Sequence, residues 1–219
     1  MPYRFFLGFL LAAATLGSCS SEPDTRVPPP LPPSGPLAAG RPGLVEAVQL
    51  LLHRQDTVPR TGNRDHDFAL LLALHHRAAL RMARLELEQG QDSTLRAVAK
   101  LLRTNQQQHV QQLRLATARL DNPSPNYNPR NAKDAFVRCT AAALDTLLQP
   151  IGALRGNVDQ DFAALLLAHH RAVGVLLQAE EALGRDAGMR QLARSIGAAQ
   201  QPQVRLLRRW QATHPAAAR

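Results

Sequence analysis

Apolar residues recur along this chain in steps of three and four, the spacing of one face of an α-helix. Phe68, Leu72, His75, Ala79, Met82 and Glu86 fall on one line, which predicts a helix over about 65–88. Leu95, Ala99, Leu102, Gln106, His109, Leu113, Ala116 and Leu120 form a second line and predict a helix from Asp92-Ser93 to about residue 120. The pair then repeats. Phe162, Leu166, His169, Val173, Leu176 and Glu180 predict a helix over 159–183, and Met189, Ala193, Ile196, Gln200, Gln203, Leu207, Trp210 and His214 one over 186–213. Gly90 and Gly184 terminate the first helix of each pair, and Asp92 and Asp186 begin the second. Asp65 and Asp67 stand where they can cap the leading helix and oppose its dipole. Shorter helices are expected over 44–56 and 132–149, the latter stopped near Pro150. Pro202 is expected to kink the last helix.

The repetition is exact in register. Shifted by 94 residues, Asp65–Arg119 lies on Asp159–Thr213 without a gap, with 21 identities in 55 positions. These include Asp-x-Asp-Phe, His-His-Arg-Ala, a Glu, a Gly, an Asp and a Gln pair. A period this long marks a duplicated small unit rather than a solenoid. The reading is a first helical repeat at 43–121, a linker of Pro and Asn, and a second repeat at 130–214. Each repeat is a helical hairpin whose apolar stripe must be covered. Two hairpins packed face to face give an all-α four-helix bundle, with the two shorter helices over its ends or sides.

Polar residues interrupt both seams at one level. In an antiparallel hairpin centred near residue 92, His75 stands opposite His109; in the second, His169 stands opposite Gln203. The core should therefore hold His75, Gln106 and His109 across from His169, Gln200 and Gln203. His76 and His170, about 100° further round, belong at the seam's edge. Two explanations remain open: a hydrogen-bonded layer that fixes helix register, or a metal site. Imidazole suits copper, zinc and nickel, and the Met82 thioether adds softness. Proton competition would then set in near pH 6, the reference range of imidazole. A di-iron site needs Glu-x-x-His on facing helices, but the residues three before His75 and His109 are Leu72 and Gln106. His-Glu-x-x-His is absent, and Glu86 is too far along its helix to share an ion with His75; Arg96, level with it across the hairpin, is its expected partner. No catalytic set emerges, so an enzyme is not expected.

Composition supports the helical reading. Aromatics are 4% of the chain and Ile occurs only at 151 and 196, so the β-branched and aromatic residues that strands favour are scarce. The net charge of +9 resides almost wholly in scattered Arg, without a basic run or interleaved aromatics, which argues against nucleic-acid binding. Residues 1–18 read as an export signal: Arg4, an apolar run from Phe5 to Leu16, then small residues before Cys19. Leu16-Gly17-Ser18-Cys19 resembles a bacterial lipoprotein signal, in which the Cys is acylated. Only these first 18 residues approach the length of a membrane span. Residues 19–42 are Pro-rich and read as an extended tether. The expectation is a lipid-anchored protein facing the periplasm or cell exterior. Cys139 then remains as the one other thiol and is expected to be a small buried hydrophobe.

The motif Asp67-Phe68-(x6)-His75-His76-Arg77-Ala78, with Gln106-Gln107-x-His109-Val110 downstream, resembles the ferritin-like bacterial family called domain of unknown function 305. Its counterpart, Asp161-Phe162-(x6)-His169-His170-Arg171-Ala172 with Gln200-Gln201-x-Gln203-Val204, resembles it too, so the chain reads as two tandem copies. The resemblance implies a small exported ferritin-like bundle that binds or buffers a metal ion, copper above others, through His75, His76 and His109, with Met82 as a soft contact and His169 and His170 from the second copy. The family's usual Met positions are Leu72 and Met82 here, and Leu166 and Leu176 in the second copy. Its Glu after the Gln pair is His109 and Gln203. The alternative is a non-catalytic structural or protein-interaction module without metal.

Overall fold

The computed structural model describes residues 43–120 and 124–215; the expected export signal, Cys19 and the expected tether lie outside them. The described residues form six α-helices and no strand: α1 (Leu44–Thr57), α2 (Arg64–Gln89), α3 (Ser93–Arg119), α4 (Ala135–Leu148), α5 (Val158–Leu183) and α6 (Ala187–Thr213), with a 3-10 turn at Ile151–Ala153. The protein is all-α, as the periodicity requires. α2 and α3 form one hairpin and α5 and α6 the other, and α2 packs along α5 to join them. α3 and α6 barely touch; α1 lies on α2 and α4 on α5, so the short helices cover the sides.

This arrangement makes α2 and α5 central, which changes their burial. The expected single stripe is buried, but so are Leu71, Leu74, Ala78 and Ala83 on other faces of α2, and Leu165, Leu167, Ala172 and Leu177 on α5. α3 and α6, with one main neighbour each, keep a narrow stripe: Leu95, Ala99, Leu102, Gln106 and Leu113 on α3, with Val98 beside it, and Met189, Ala193, Ile196, Gln200, Gln203, Leu207 and Trp210 on α6. Each buried Leu, Phe or Met side chain contributes about 1.5–3 kcal/mol. α5 is long and apolar enough to cross a membrane, a property the sequence reading gave only to the first 18 residues; 72% of its apolar window is buried in the bundle, as a core helix demands. Cys139 is buried on α4 as expected. α6 continues through Pro202 without a break.

The aspartates stand in the first turns of α2 and α5, where they oppose the dipoles as expected, but they are not the caps. Asn63 and Asn157 are the caps, accepting from His66 N and Gln160 N. Asp67 instead turns back to accept from Thr61 N (2.9 Å), Gly62 N (3.0 Å) and the Tyr127 hydroxyl (2.7 Å). Asp161 does likewise with Arg155 N and Gly156 N, both at 2.8 Å. Gly62 and Gly156 sit at φ 81° and 77°, the left-handed region where a side chain is strained.

Asp65 and Asp159 reach across to the other hairpin. Asp159 Oδ1 accepts from Gln91 N (3.0 Å) and Asp92 N (2.9 Å) in the α2–α3 turn. Asp65 Oδ1 accepts from Arg185 N (2.9 Å) and Asp186 N (2.7 Å) in the α5–α6 turn. Each leading helix thus starts beside the other's end, so α2 and α5 run antiparallel.

Candidate metal centre

His75 and His76 sit in the middle of α2, His169 and His170 in the middle of α5, and His109 on α3. Because α2 and α5 are antiparallel and in contact, the two His pairs meet at one level. Ring centroids are 5.3 Å apart for His76–His109, 5.5 Å for His169–His170, 6.1 Å for His75–His169 and 6.3 Å for His76–His169. His75, His76 and His169 are fully buried and His170 is 4% exposed; His109 is half-buried and forms the rim.

The predicted layer is present, but its pairing is shifted by one residue. His109 meets His76, not His75. The first His of each pair points across the α2–α5 interface: His75 and His169 face one another, and a ring nitrogen of His169 lies 3.2 Å from the His75 carbonyl oxygen. The second, turned about 100° round the helix, faces its own hairpin partner. So His76 meets His109, and Gln200 and Gln203 stand beside His170. His76 and His170 are therefore core residues rather than edge residues, because α2 and α5 are covered on more than one face. Met82 is fully buried on α2, roughly 10 Å along the axis from His75 at 1.5 Å per residue.

Among the described residues, eight ring nitrogens of this cluster are buried without a hydrogen-bond partner: both of His75, His76 and His170, and Nδ1 of His109 and His169. The amide oxygens of Gln106 and Gln203 are likewise unpartnered. Burial alone pushes the His75 imidazole down to about 4 from an ordinary 6.5. His170 is also lowered to about 4 by burial, against a smaller opposing effect of the neighbouring Gln200 and Gln203 amides. His76 and His169 lie well below 6.5, first from burial and then from repulsion by the neighbouring imidazoles. His109, at the rim, is lowered by burial too. All five are neutral at pH 7, the form that donates a lone pair to a metal. Protonation of these rings thus begins below the expected pH 6.

A metal–imidazole bond of about 2.0–2.1 Å leaves two rings on one ion with centroids within roughly 6 Å. The His76–His109 pair meets that limit and His75–His169 stands at its edge. As the side chains stand, no group of three His, Cys, Asp or Glu among the described residues converges to hold an ion. The unpartnered nitrogens and neutral rings suit a nitrogen-ligated metal in donor chemistry; the side chains supply pairs rather than a closed shell.

The model of the family described as domain of unknown function (DUF305) matches residues 65–211, from the start of α2 nearly to the end of α6. This chain belongs to the DUF305 family. A single match runs through both hairpins and contains all five clustered imidazoles. No curated protein and no solved structure matches the chain.

Sequence reasoning missed two features. The convergence of Glu86 and Asp159 on the α2–α3 turn, and of Glu180 and Asp65 on the α5–α6 turn, brings together residues that the 94-residue shift had already marked as shared, but only the packing pairs them crosswise. The expected Glu86–Arg96 ion pair is not formed within 4 Å: Arg96 donates to the carbonyls of Leu87 (2.7 Å) and Gly90 (3.0 Å) instead. The Gly-Asn capping turn repeats at 62–63 and 156–157, just outside the aligned segment, and extending the shift by three residues reveals it.

Proposed function

We propose that this DUF305 protein binds or buffers a metal ion, copper before zinc, in the buried imidazole layer where α2, α3 and α5 meet. The observation that carries the reading is the set of eight buried, unpartnered ring nitrogens. Each orphaned polar group costs about 1–3 kcal/mol; a neutral imidazole carries one lone pair and one N–H, so a metal ion would relieve the lone-pair nitrogen of each ring it binds. His76 and His109 are the first ligands, with His75 and His169 completing the shell by ring rotation; His170 is the reserve donor of the second hairpin. For nitrogen donors, divalent affinity rises to copper and falls at zinc. The half-buried position of His109 gives the ion its entry.

The export signal and the Leu16-Gly17-Ser18-Cys19 sequence support a lipid-anchored protein of the cell envelope, held off the membrane by the Pro-rich tether. A register-setting layer without metal is the second reading. It is favoured by the lack of a ready three-sided group among the described residues. Calorimetry on the metal-free chain separates them. Copper should bind the wild type and lose most of its affinity in His76→Ala/His109→Ala; equal heats from both proteins would end the metal reading.

A further inference from the structure

Two carboxylic acids in the bundle have no use in the imidazole layer. Glu86 and Glu180 are each fully buried, and none of their four side-chain oxygens has a hydrogen-bond donor. Each is folded back over the glycine that ends its helix. The Glu86 carboxyl lies against Gly90 and the Glu180 carboxyl against Gly184, so closely that a Cβ on either glycine would collide with it. Among the described residues, the arginines beside these turns are directed elsewhere: Arg96 donates to Leu87 O and Gly90 O, and Arg190 to Gly184 O. What each glutamate faces is another acid from the opposite hairpin. Asp159 on α5 accepts from Gln91 N and Asp92 N, directly after the Gly90 that Glu86 lies against, so the two carboxyls come together at that turn, with Asp92 beside them. Glu180 and Asp65 come together likewise at the α5–α6 turn, beside Asp186, whose oxygens are held by Arg119 at 2.7 and 2.8 Å.

Two carboxylates in contact without a donor between them require either a proton or a cation. Asp159 and Asp65 already spend their oxygens on the backbone N–H groups of the opposite turn. No three acidic or His side chains among the described residues converge as a cation would need. A proton needs only the two oxygens that face each other.

We propose that Glu86–Asp159 and Glu180–Asp65 are proton-sharing carboxyl pairs, two latches at opposite ends of the bundle that tie each hairpin turn to the first turn of the other hairpin. In each, the glutamic acid O–H donates to the aspartate, which keeps its charge for the backbone amides. Alkali removes that proton to solvent and leaves two repelling carboxylates, so the hairpins separate more easily.

The electrostatics agree in direction. Burial first, then Asp159, raises the Glu86 carboxyl to about 8; burial first, then Asp65, raises Glu180 to about 9. An acid whose pKa is raised on folding contributes stability that is present below its unfolded value and lost as pH rises through the folded one. Two such groups make the folded chain hold two more protons than the unfolded chain near pH 7. Their effect on the unfolding constant is about a hundredfold per pH unit until the pairs titrate.

The test compares denaturant unfolding of the metal-free chain with that of Glu86→Gln/Glu180→Gln between pH 6 and 9.5. The Gln amide can still donate to the aspartate but carries no titrating proton. The wild type should lose stability relative to the variant as pH rises, and infrared spectra at pH 7 should contain the carbonyl stretch of protonated carboxylic acid, absent from the variant. Parallel stability curves, or calcium or magnesium raising wild-type stability at pH 9 where the variant is unaffected, would overturn the proposal, the second in favour of a cation. If the variant does not fold, the infrared band decides alone: its presence supports the latches and its absence rejects them. Neither pair touches the copper reading, so the two experiments fail independently.

Discussion

His76→Leu separates a ligand-binding layer from a structural one by the sign of its effect. His76 is fully buried and neither ring nitrogen has a partner. A neutral imidazole must carry one N–H, and burying that donor unsatisfied costs about 1–3 kcal/mol. Leucine fills similar space without a polar atom. It gives up the ring contacts to His109 and His169 at 5.3 and 6.3 Å, and such a near-volume swap costs less than about 1.5 kcal/mol. The metal-free variant should therefore be more stable than the wild type, by about 1 kcal/mol. For a domain of this size that is a rise of roughly 2–4 °C in Tm. Copper at a hundred times its Kd should add about 2.7 kcal/mol to the wild type and far less to the variant, so the order of the two melting temperatures inverts when copper is added. The assay is thermal unfolding at pH 7.5, with and without copper. If the metal-free variant instead melts below the wild type by several degrees, His76 is satisfied in the folded protein and the argument from unpartnered nitrogens is refuted.

Two further outcomes follow from the same chemistry. Since burial lowers every imidazole of the layer below its ordinary 6.5, copper should remain bound at pH 5.5; release around pH 6.5, read by equilibrium dialysis, would show solvated imidazoles. The metal-free chain should lose stability as pH falls from about 6.5 to about 4, since the unfolded imidazoles take up protons first; the shift at His75 alone corresponds to about 3 kcal/mol. Cys19→Ala should move the protein from the membrane fraction to the soluble one or leave it unprocessed, and unchanged fractionation with no lipid on the wild-type N-terminus would reject the anchor.

The helices, their ends and the level of the polar layer were legible in the sequence because they depend on local spacing. Steps of three and four set the stripes, Gly90 and Gly184 mark the turns, and the 94-residue shift places His75-His76 at the same height as His169-His170. On α6 the predicted stripe is buried residue for residue from Met189 to Trp210, since a helix with one neighbour buries one face. What failed were statements about which residue a side chain meets. Placing His109 opposite His75 assumed that the hairpin partner was the main neighbour of α2. Once α5 and α1 also pack on α2, its buried arc widens and the two histidines divide between neighbours, His75 toward α5 and His76 toward α3. The aspartates show the same limit. Their positions suggested caps for their own helices, yet the antiparallel docking of α2 on α5 carries Asp65 and Asp159 to the opposite turns and presses Glu86 and Glu180 against them. Periodicity is a property of one helix and can be read along the chain. The partner of a buried polar group depends on how helices are rotated and docked, and that is decided only when all the apolar faces are covered together.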